Sequence, residues 1–243
     1  MSTIQLAAGI CISLSLGLPL LILLGLRSRG LKGLHIGLAG AAFALWLGLT
    51  ALLAQRGLFQ DFSVLPPRLM LVLLPPLAAS LALTFHPHLR QLWFALPMSW
   101  LIGFQAFRLP VEIFLWLLAH AGVAPPQMSF EGRNWDILTG LTALPVAWLW
   151  QRYPQIRHRL ALGWNLAGLA LLLNIVLVSI LSMPTPFQLL QPANTFVAQW
   201  PFVWLPALLV PLAYSGHFLA LRQLGLERPA RPEVPARAAD EAA

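Results

Sequence analysis

The chain has 243 residues, of which 58% are hydrophobic and only 9% are charged, whereas a soluble globular domain carries about 25% charged residues. A water-soluble core cannot absorb that much apolar surface, so the composition predicts a membrane protein. The formal net charge of +7 is spread over segment ends and the C-terminal tail, which excludes the clustered basic face of a nucleic-acid-binding protein.

Seven apolar segments follow one another along the chain, each with about the length that a bilayer requires. A crossing helix needs about 20 residues, and only helices or closed barrels satisfy every backbone polar group in lipid. Strands of alternating polarity are missing, so the pattern predicts an all-α integral membrane bundle of seven transmembrane helices. The segments are 4–26, 34–53, 64–85, 92–118, 131–150, 160–181 and 201–221.

The positions of the basic residues predict the orientation of this bundle. Eleven of them lie in the linkers after segments 1, 3 and 5 and in the tail, whereas only Arg56, Arg68 and Arg133 lie on the other side. Because positive residues stay cytoplasmic, we expect the N-terminus outside and the C-terminus in the cytoplasm. We expect residues 1–223 to form the transmembrane domain. Residues 224–243, rich in Pro, Ala and charge, should form a disordered cytoplasmic tail.

The fourth segment carries two charges four residues apart, Arg108 and Glu112. Arg108 follows the start of the segment by about 16 residues, or roughly 24 Å of helix, which places it within the hydrocarbon. An unpaired charge there costs about 2.5–3.5 kcal/mol on insertion scales. Because positions i and i+4 share one helix face, we expect the two side chains to pair. Pro110 removes one backbone hydrogen bond and should kink the helix.

The fifth segment is too short if it begins after its last acidic residue. Residues 137–151 would give a helix of about 22 Å, whereas the hydrocarbon is about 30 Å thick. We therefore expect this helix to start near Phe130 to Asn134. That start would bring four polar residues into the outer leaflet: Glu131, Arg133, Asn134 and Asp136.

The charges of segments 4 and 5 predict a polar, outward-facing pocket between these two helices. Intramembrane charges face a bundle interior or a wet cavity, and here three carboxylates face two guanidinium groups. The surplus carboxylate is a candidate proton-binding group, and an arginine could instead bind an anion. The alternative is a salt-bridge network with a purely structural role. The candidate residues are Arg108, Glu112, Glu131, Arg133, Asn134 and Asp136.

Two strings in this region, "FRLPVE" at 107–112 and "MSFEGRNWD" at 128–136, resemble a motif of multi-pass bacterial membrane proteins. The motif runs Arg-x-Pro-Val-Glu and then Met-(Ser/Thr)-Phe-Glu-Gly-x-Asn-x-Asp. The resemblance implies a bacterial inner-membrane location and supports the choice of these residues. It implies no substrate, since no activity is attached to that group.

Other residues restrict the chemistry. Lys32 is the only lysine and lies in the first linker, which argues against a retinal Schiff base within a helix. Most histidines, including His217, are expected at cytoplasmic ends, without the spacing of a metal or haem site. Asn165 and Asn174 are nine residues apart, about 900° around a helix, so at most one of them can face a given pocket.

The sequence therefore predicts a non-enzymatic binding protein, with no cofactor and no metal, that acts as a transporter or sensor for a small ligand or a proton. A second hypothesis is an intramembrane enzyme that uses Glu112, Glu131 or Asp136 as acid or base. A third is a structural subunit of a larger membrane complex. The expected partners are the lipid bilayer, a small ligand or proton, and a membrane-complex subunit, with no nucleic acid.

Overall fold

The computed structural model describes residues 1–226, and this part of the chain is helical without strands. Within these residues, nine α-helices are joined by turns and longer loops, several of which contain 3-10 turns. The helices are α1 (Thr3–Ser28), α2 (Gly33–Gln55), α3 (Met70–Phe85), α4 (Arg90–Phe94), α5 (Met98–Phe104), α6 (Arg108–His120), α7 (Ile137–Arg152), α8 (Arg157–Leu181) and α9 (Val210–Leu226). The all-α prediction is confirmed. The predicted tail, residues 224–243, lies outside the described residues except for the end of α9.

Within residues 1–226, five helical stretches are long and apolar enough to cross a membrane, and the count rises to six if α3 and the bent segment after it form one span. The stretches are Thr3–Ser28, Gly33–Gln55, Met98–His120, Arg157–Leu181 and Leu205–Gly225. Seven spans are therefore not confirmed. The fifth predicted span fails because α7 has 16 residues, or roughly 24 Å of helix, against a hydrocarbon thickness of about 30 Å.

The fourth predicted span, 92–118, is not one continuous helix. α4 ends at Phe94 and α5 begins at Met98, directly after Pro97, because proline disfavours a helical conformation in the residue before it. A 3-10 turn over Gln105–Phe107 then separates α5 from α6. Pro110 accounts for this second interruption, since it has no N–H for the carbonyl four residues earlier. The kink predicted at Pro110 is therefore observed as one 3-10 turn just before α6.

The helix α9 lies at the centre of the bundle and packs against α3, α5 and α8, while α1 packs against α6 and α5 packs against α7. A π-helical turn, Leu205–Leu209, precedes α9 and contains Pro206. The outermost helix is α2, on which leucines such as Leu34 and Leu45 are exposed. Apolar side chains on such a face are suited to contact with lipid.

Candidate functional site

The 3-10 turn between α5 and α6 places Arg108 at the first position of α6, inside the bundle. Only 2% of the Arg108 side-chain surface is exposed. The Arg108 Nε atom donates to Asp136 Oδ2 at 2.6 Å, and Nη2 forms an ion pair with Asp136 Oδ1. This two-point contact is the geometry in which a guanidinium group binds a carboxylate most strongly.

Asp136 is the residue immediately before α7 and is buried. A carboxylate at this position is favoured by the partial positive charge at a helix N-terminus. The backbone N–H of Asp136 donates to Asn134 Oδ1 at 3.1 Å, which fixes the turn before the helix. The ion pair thus connects the start of α6 to the start of α7, so a polar connection between these two helices is present. Arg108, however, pairs with Asp136 and not with the expected Glu112.

A second buried chain of hydrogen bonds leads from Arg108 to α8. Arg108 Nη1 lies 2.9 Å from His217 Nε2, and His217 Nδ1 lies 2.8 Å from Asn165 Oδ1. Because arginine only donates, Nε2 accepts and the imidazole carries its proton on Nδ1. Asn165 donates its own amide to the Ala161 carbonyl at 2.8 Å, which orients Oδ1 toward the histidine. Every polar atom along this path has a partner of the right kind.

His217 was expected at a cytoplasmic helix end, but it lies within the candidate span Leu205–Gly225, with its ring fully buried against α6 and α8. A lone histidine in an apolar helix indicated nothing about its partners. The expectation for the two asparagines is confirmed: Asn165 faces this site, whereas Asn174 donates to the Arg133 carbonyl at 2.7 Å. His217 and Asn165 are the site residues that sequence reasoning missed.

Glu112 lies one turn after Arg108 and is 1% exposed. The predicted ion pair between these two residues is absent from residues 1–226, because the Arg108 guanidinium is directed toward Asp136 and His217. Instead, the amide Nδ2 of Asn134 donates to both Glu112 oxygens, at 2.8 Å and 2.7 Å. The same amide donates to the Met128 carbonyl at 3.0 Å, so the loop before α7 holds the amide against the carboxylate.

The other two predicted site residues lie on the surface. Glu131 accepts from Trp116 Nε1 at 2.9 Å and lies 3.5 Å from His120 Nε2, with both residues of the latter pair about half exposed. Arg133 is also exposed. The two are therefore separated from the buried group that contains Glu112 and Asp136.

The loop geometry explains this division. The predicted early start of the fifth helix is wrong: residues 129–135 form tight turns, closed by a bond from the Asn134 N–H to the Ser129 carbonyl at 3.2 Å. A side chain at Gly132 would overlap the Pro126 carbonyl, so this turn requires glycine. The turns point Asn134 inward and leave Glu131 and Arg133 outside.

A cavity of about 70 Å³ adjoins the buried group. Its polar lining comes from Arg108, Glu112, Asp136 and Ser179, and the rest is mainly apolar side chains from α3, α6, α8, the π-helical turn and the start of α9. Of the predicted lining, α6, Met128 in the following loop and Asp136 of the fifth segment border the cavity, whereas the rest of that segment, α7, contributes no wall. Residues 1–226 contain no group of three or more His, Cys, Asp or Glu side chains that could hold a metal ion.

In a comparison with protein families, the model for a domain of unknown function (DUF8737) matches residues 65–225, which is more than half of the chain. The chain belongs to this family. The matched region includes the buried Arg108 group, the cavity beside it and all helices from α3 to α8. Comparison with curated proteins and with solved structures gives no match.

Proposed function

We propose that this DUF8737 protein binds a proton at Glu112 within the membrane and acts as a proton-linked transporter or sensor. The observation that carries the proposal is the environment of Glu112. Its carboxyl group is buried, and its direct partner is a neutral amide, Asn134. Among residues 1–226, no basic side chain lies within ion-pair distance of it.

The charge balance of the buried group supports proton binding. It contains one guanidinium group, Arg108, and two carboxyl groups, Asp136 and Glu112, and Arg108 is already paired with Asp136. A deprotonated Glu112 would therefore leave one negative charge among apolar side chains. Such a charge costs several kcal/mol in a low-dielectric interior. Uptake of one proton by Glu112 removes this charge without rearranging the ion pair.

The size of the cavity favours a proton over a larger ligand. A water molecule needs at least about 10–15 Å³ of such space, so about 70 Å³ accommodates a few water molecules next to Glu112. Pockets for drug-sized ligands have volumes of about 300–1,000 Å³. Water in the cavity would give protons a path to the carboxyl group.

Infrared spectroscopy of the purified protein in liposomes tests proton binding directly. We expect the carbonyl stretch of a protonated carboxyl group to change with pH, and Glu112→Gln to remove this signal. Glu131→Gln is the matched control, because Glu131 is exposed and should leave the signal intact. If Glu112→Gln and wild type have the same carboxyl bands at every pH, Glu112 does not bind the proton.

A flux measurement separates transport from sensing. Proteoliposomes that contain a pH-sensitive dye are given a membrane potential, and proton entry is followed for wild type, Glu112→Gln and Glu131→Gln. Flux that Glu112→Gln abolishes indicates transport. Absence of flux, together with a pH-dependent change in amide hydrogen exchange of α9 that Glu112→Gln removes, indicates sensing. If neither signal depends on Glu112, the proposal is wrong.

A structural role in a membrane complex is the second candidate, and the hydrogen-bond chain through Arg108, His217 and Asn165 favours it. This chain joins α6, α8 and α9 without an unsatisfied member. In that case Arg108→Leu should lower the melting temperature and the assembly of the complex, while Glu112→Gln should affect neither flux nor pH response.

A further inference from the structure

A second, larger cavity of about 530 Å³ lies on the other side of α9 from the Arg108 site. It is bounded by α1, α2, α3, α5 and α9, and its walls are mainly apolar and aromatic, with Phe43, Trp46, Trp100 and Phe104 among them. Its volume falls within the range of about 300–1,000 Å³ that is usual for ligand pockets. None of the groups that hold Arg108 or Glu112 lines it.

The cavity extends over about one leaflet of a bilayer. From the π-helical turn into α9, its lining runs from Ala207 to Leu219, which is about 18 Å of helix at 1.5 Å per residue. Along α3 it runs from Pro75 to Thr84, or roughly 14 Å. Half of the hydrocarbon thickness is about 15 Å. The length therefore matches one acyl chain that enters from the end where α1, α3 and α9 terminate.

Basic residues lie close in sequence to the lining residues at that end of the cavity. Leu26, Thr84 and Leu219 line the cavity there, and Arg27 and Arg222 are their near neighbours in sequence. Arg222 Nη1 donates to the Thr84 carbonyl, and its guanidinium group lies over the Phe85 ring, 5.9 Å from the centroid. A guanidinium group has five N–H donors, so this contact leaves donors for an anion. Arg29, Lys32 and Arg90 lie in or beside the turns that follow α1 and α3, at the same ends of these helices.

Acidic residues occur elsewhere in the described part of the chain. Asp61, Glu131 and Asp136 lie in or beside the loops after α2 and α6, at the opposite ends of the helices, and Glu112 lies in the other cavity. Within residues 1–226, the Asp, Glu, Lys and Arg residues at the end near Arg222 are therefore all basic. The distribution of basic residues predicts this end to be cytoplasmic, where anionic lipid headgroups attract basic residues next to the membrane.

We propose that this cavity binds an anionic phospholipid, with an acyl chain between α2, α3 and α9 and the phosphate group at Arg222 and its basic neighbours. An apolar channel one leaflet long with a positive rim matches the two parts of such a lipid. The planar guanidinium group of Arg222 can bind phosphate oxygens in pairs. The proposal is independent of proton binding at Glu112, which involves the other cavity.

Native mass spectrometry of the full chain in detergent, with added phosphatidylglycerol or phosphatidylcholine, tests the proposal. We expect at least about tenfold tighter binding of phosphatidylglycerol, the anionic lipid. Arg222→Gln should remove most of this preference, whereas Arg159→Gln should keep it, because Arg159 lies on α8, which provides no wall of this cavity. Equal binding of the two lipids by wild type would overturn the proposal.

A second pair of variants tests whether the acyl chain occupies the cavity. Ala42 lines it and its neighbour Ala41 does not, so Ala42→Trp should abolish lipid binding and Ala41→Trp should preserve it. If Ala42→Trp fails to fold, a quenching experiment takes its place. Phosphatidylglycerol with brominated acyl chains should quench the tryptophan fluorescence of wild type, and this quenching should diminish in Trp46→Phe and Trp100→Phe. Unchanged lipid binding by folded Ala42→Trp, unchanged quenching, or a lipid-free dimer that covers the cavity would each contradict the proposal.

Discussion

The His217 ring lies directly against Gly168 of α8: a Cβ atom at Gly168 would come within 2.5 Å of the His217 Cε1 atom and 2.9 Å of Nε2. The missing side chain is thus what allows α9 to bring the histidine between Arg108 and Asn165. The close approach of α8 and α9 at this point and the buried hydrogen-bond chain depend on the same residue.

Gly168→Ala should therefore destabilise the protein by about 1–3 kcal/mol, the usual cost of overpacking a well-packed core. The expected result is a lower melting temperature in detergent, followed by circular dichroism. Gly163→Ala is the matched control on the same helix, because a Cβ at Gly163 meets no atom within 4 Å. Equal melting temperatures for the two variants would contradict the packing observed at His217.

Because Arg108 and Asp136 neutralise each other's buried charge, removing one of them alone should destabilise the protein more than removing both. Arg108→Leu leaves a buried carboxylate without its partner and should cost about 3–5 kcal/mol. The double variant Arg108→Leu/Asp136→Leu removes both charges and should recover most of this loss. Thermal melts of the single and double variants provide the measurement.

Exposed Arg133→Leu serves as the control for removing an arginine and should change stability by less than about 0.5 kcal/mol. A double variant that is as unstable as Arg108→Leu alone would show that Asp136 is not the residue that balances the arginine.

The indole of Trp46 supports α9 at the π-helical turn. Its Nε1 atom donates to the Ala207 carbonyl at 2.9 Å, and the usual donor four residues later is missing because residue 211 is proline. Trp46→Phe should leave this carbonyl unsatisfied and cost about 1–3 kcal/mol. Pro211→Ala in the Trp46→Phe background supplies a backbone N–H and should restore part of the stability in a thermal melt.

Trp135→Phe is the control for Trp46→Phe, because Trp135 is exposed. A Trp46→Phe variant that melts with wild type, or that Pro211→Ala destabilises further, would argue against this role of the indole.

The two asparagines of α8 should respond differently to replacement by leucine. Asn165→Leu removes the acceptor of the buried His217 Nδ1–H and should cost about 1–3 kcal/mol. Asn174→Leu removes only a partly exposed bond to a loop carbonyl and should cost less than about 1 kcal/mol. Chemical unfolding of both variants measures the difference, and a larger loss for Asn174→Leu would contradict the structure.

The sequence predicts the helices best where an apolar run has no internal break. Segments 4–26, 34–53 and 160–181 correspond to α1, α2 and α8 within a few residues. The break at Pro97 was not predicted, because it lies within an apolar run and does not change the hydropathy. The length of α7 was predicted wrongly, because it was inferred from the thickness of the bilayer. The short α7 is possible because α5, α6 and α8 pack against it.

Part of the candidate site could also be predicted. Arg108 and Glu112 could be predicted because charge within an apolar segment is costly and requires a partner, and Asn134 and Asp136 because they lie beside the start of the fifth segment. The choice of partners depends on contacts between distant segments: Asn134 reaches Glu112 across a loop, and His217 comes from α9. A single polar residue in an apolar helix does not reveal the direction in which it points, so His217 and Asn165 could not be assigned.

The π-helical turn Leu205–Leu209 contributes to both cavities. Leu205, Pro206 and Leu209 face the space beside Glu112, whereas Ala207 and Leu208 face the larger cavity that we assign to lipid. One short turn is thus a partition with an ionisable compartment on one side and an oily one on the other. A sideways displacement of this turn enlarges one cavity and narrows the other. A molecule that fills one cavity and displaces the turn therefore changes the volume of the other.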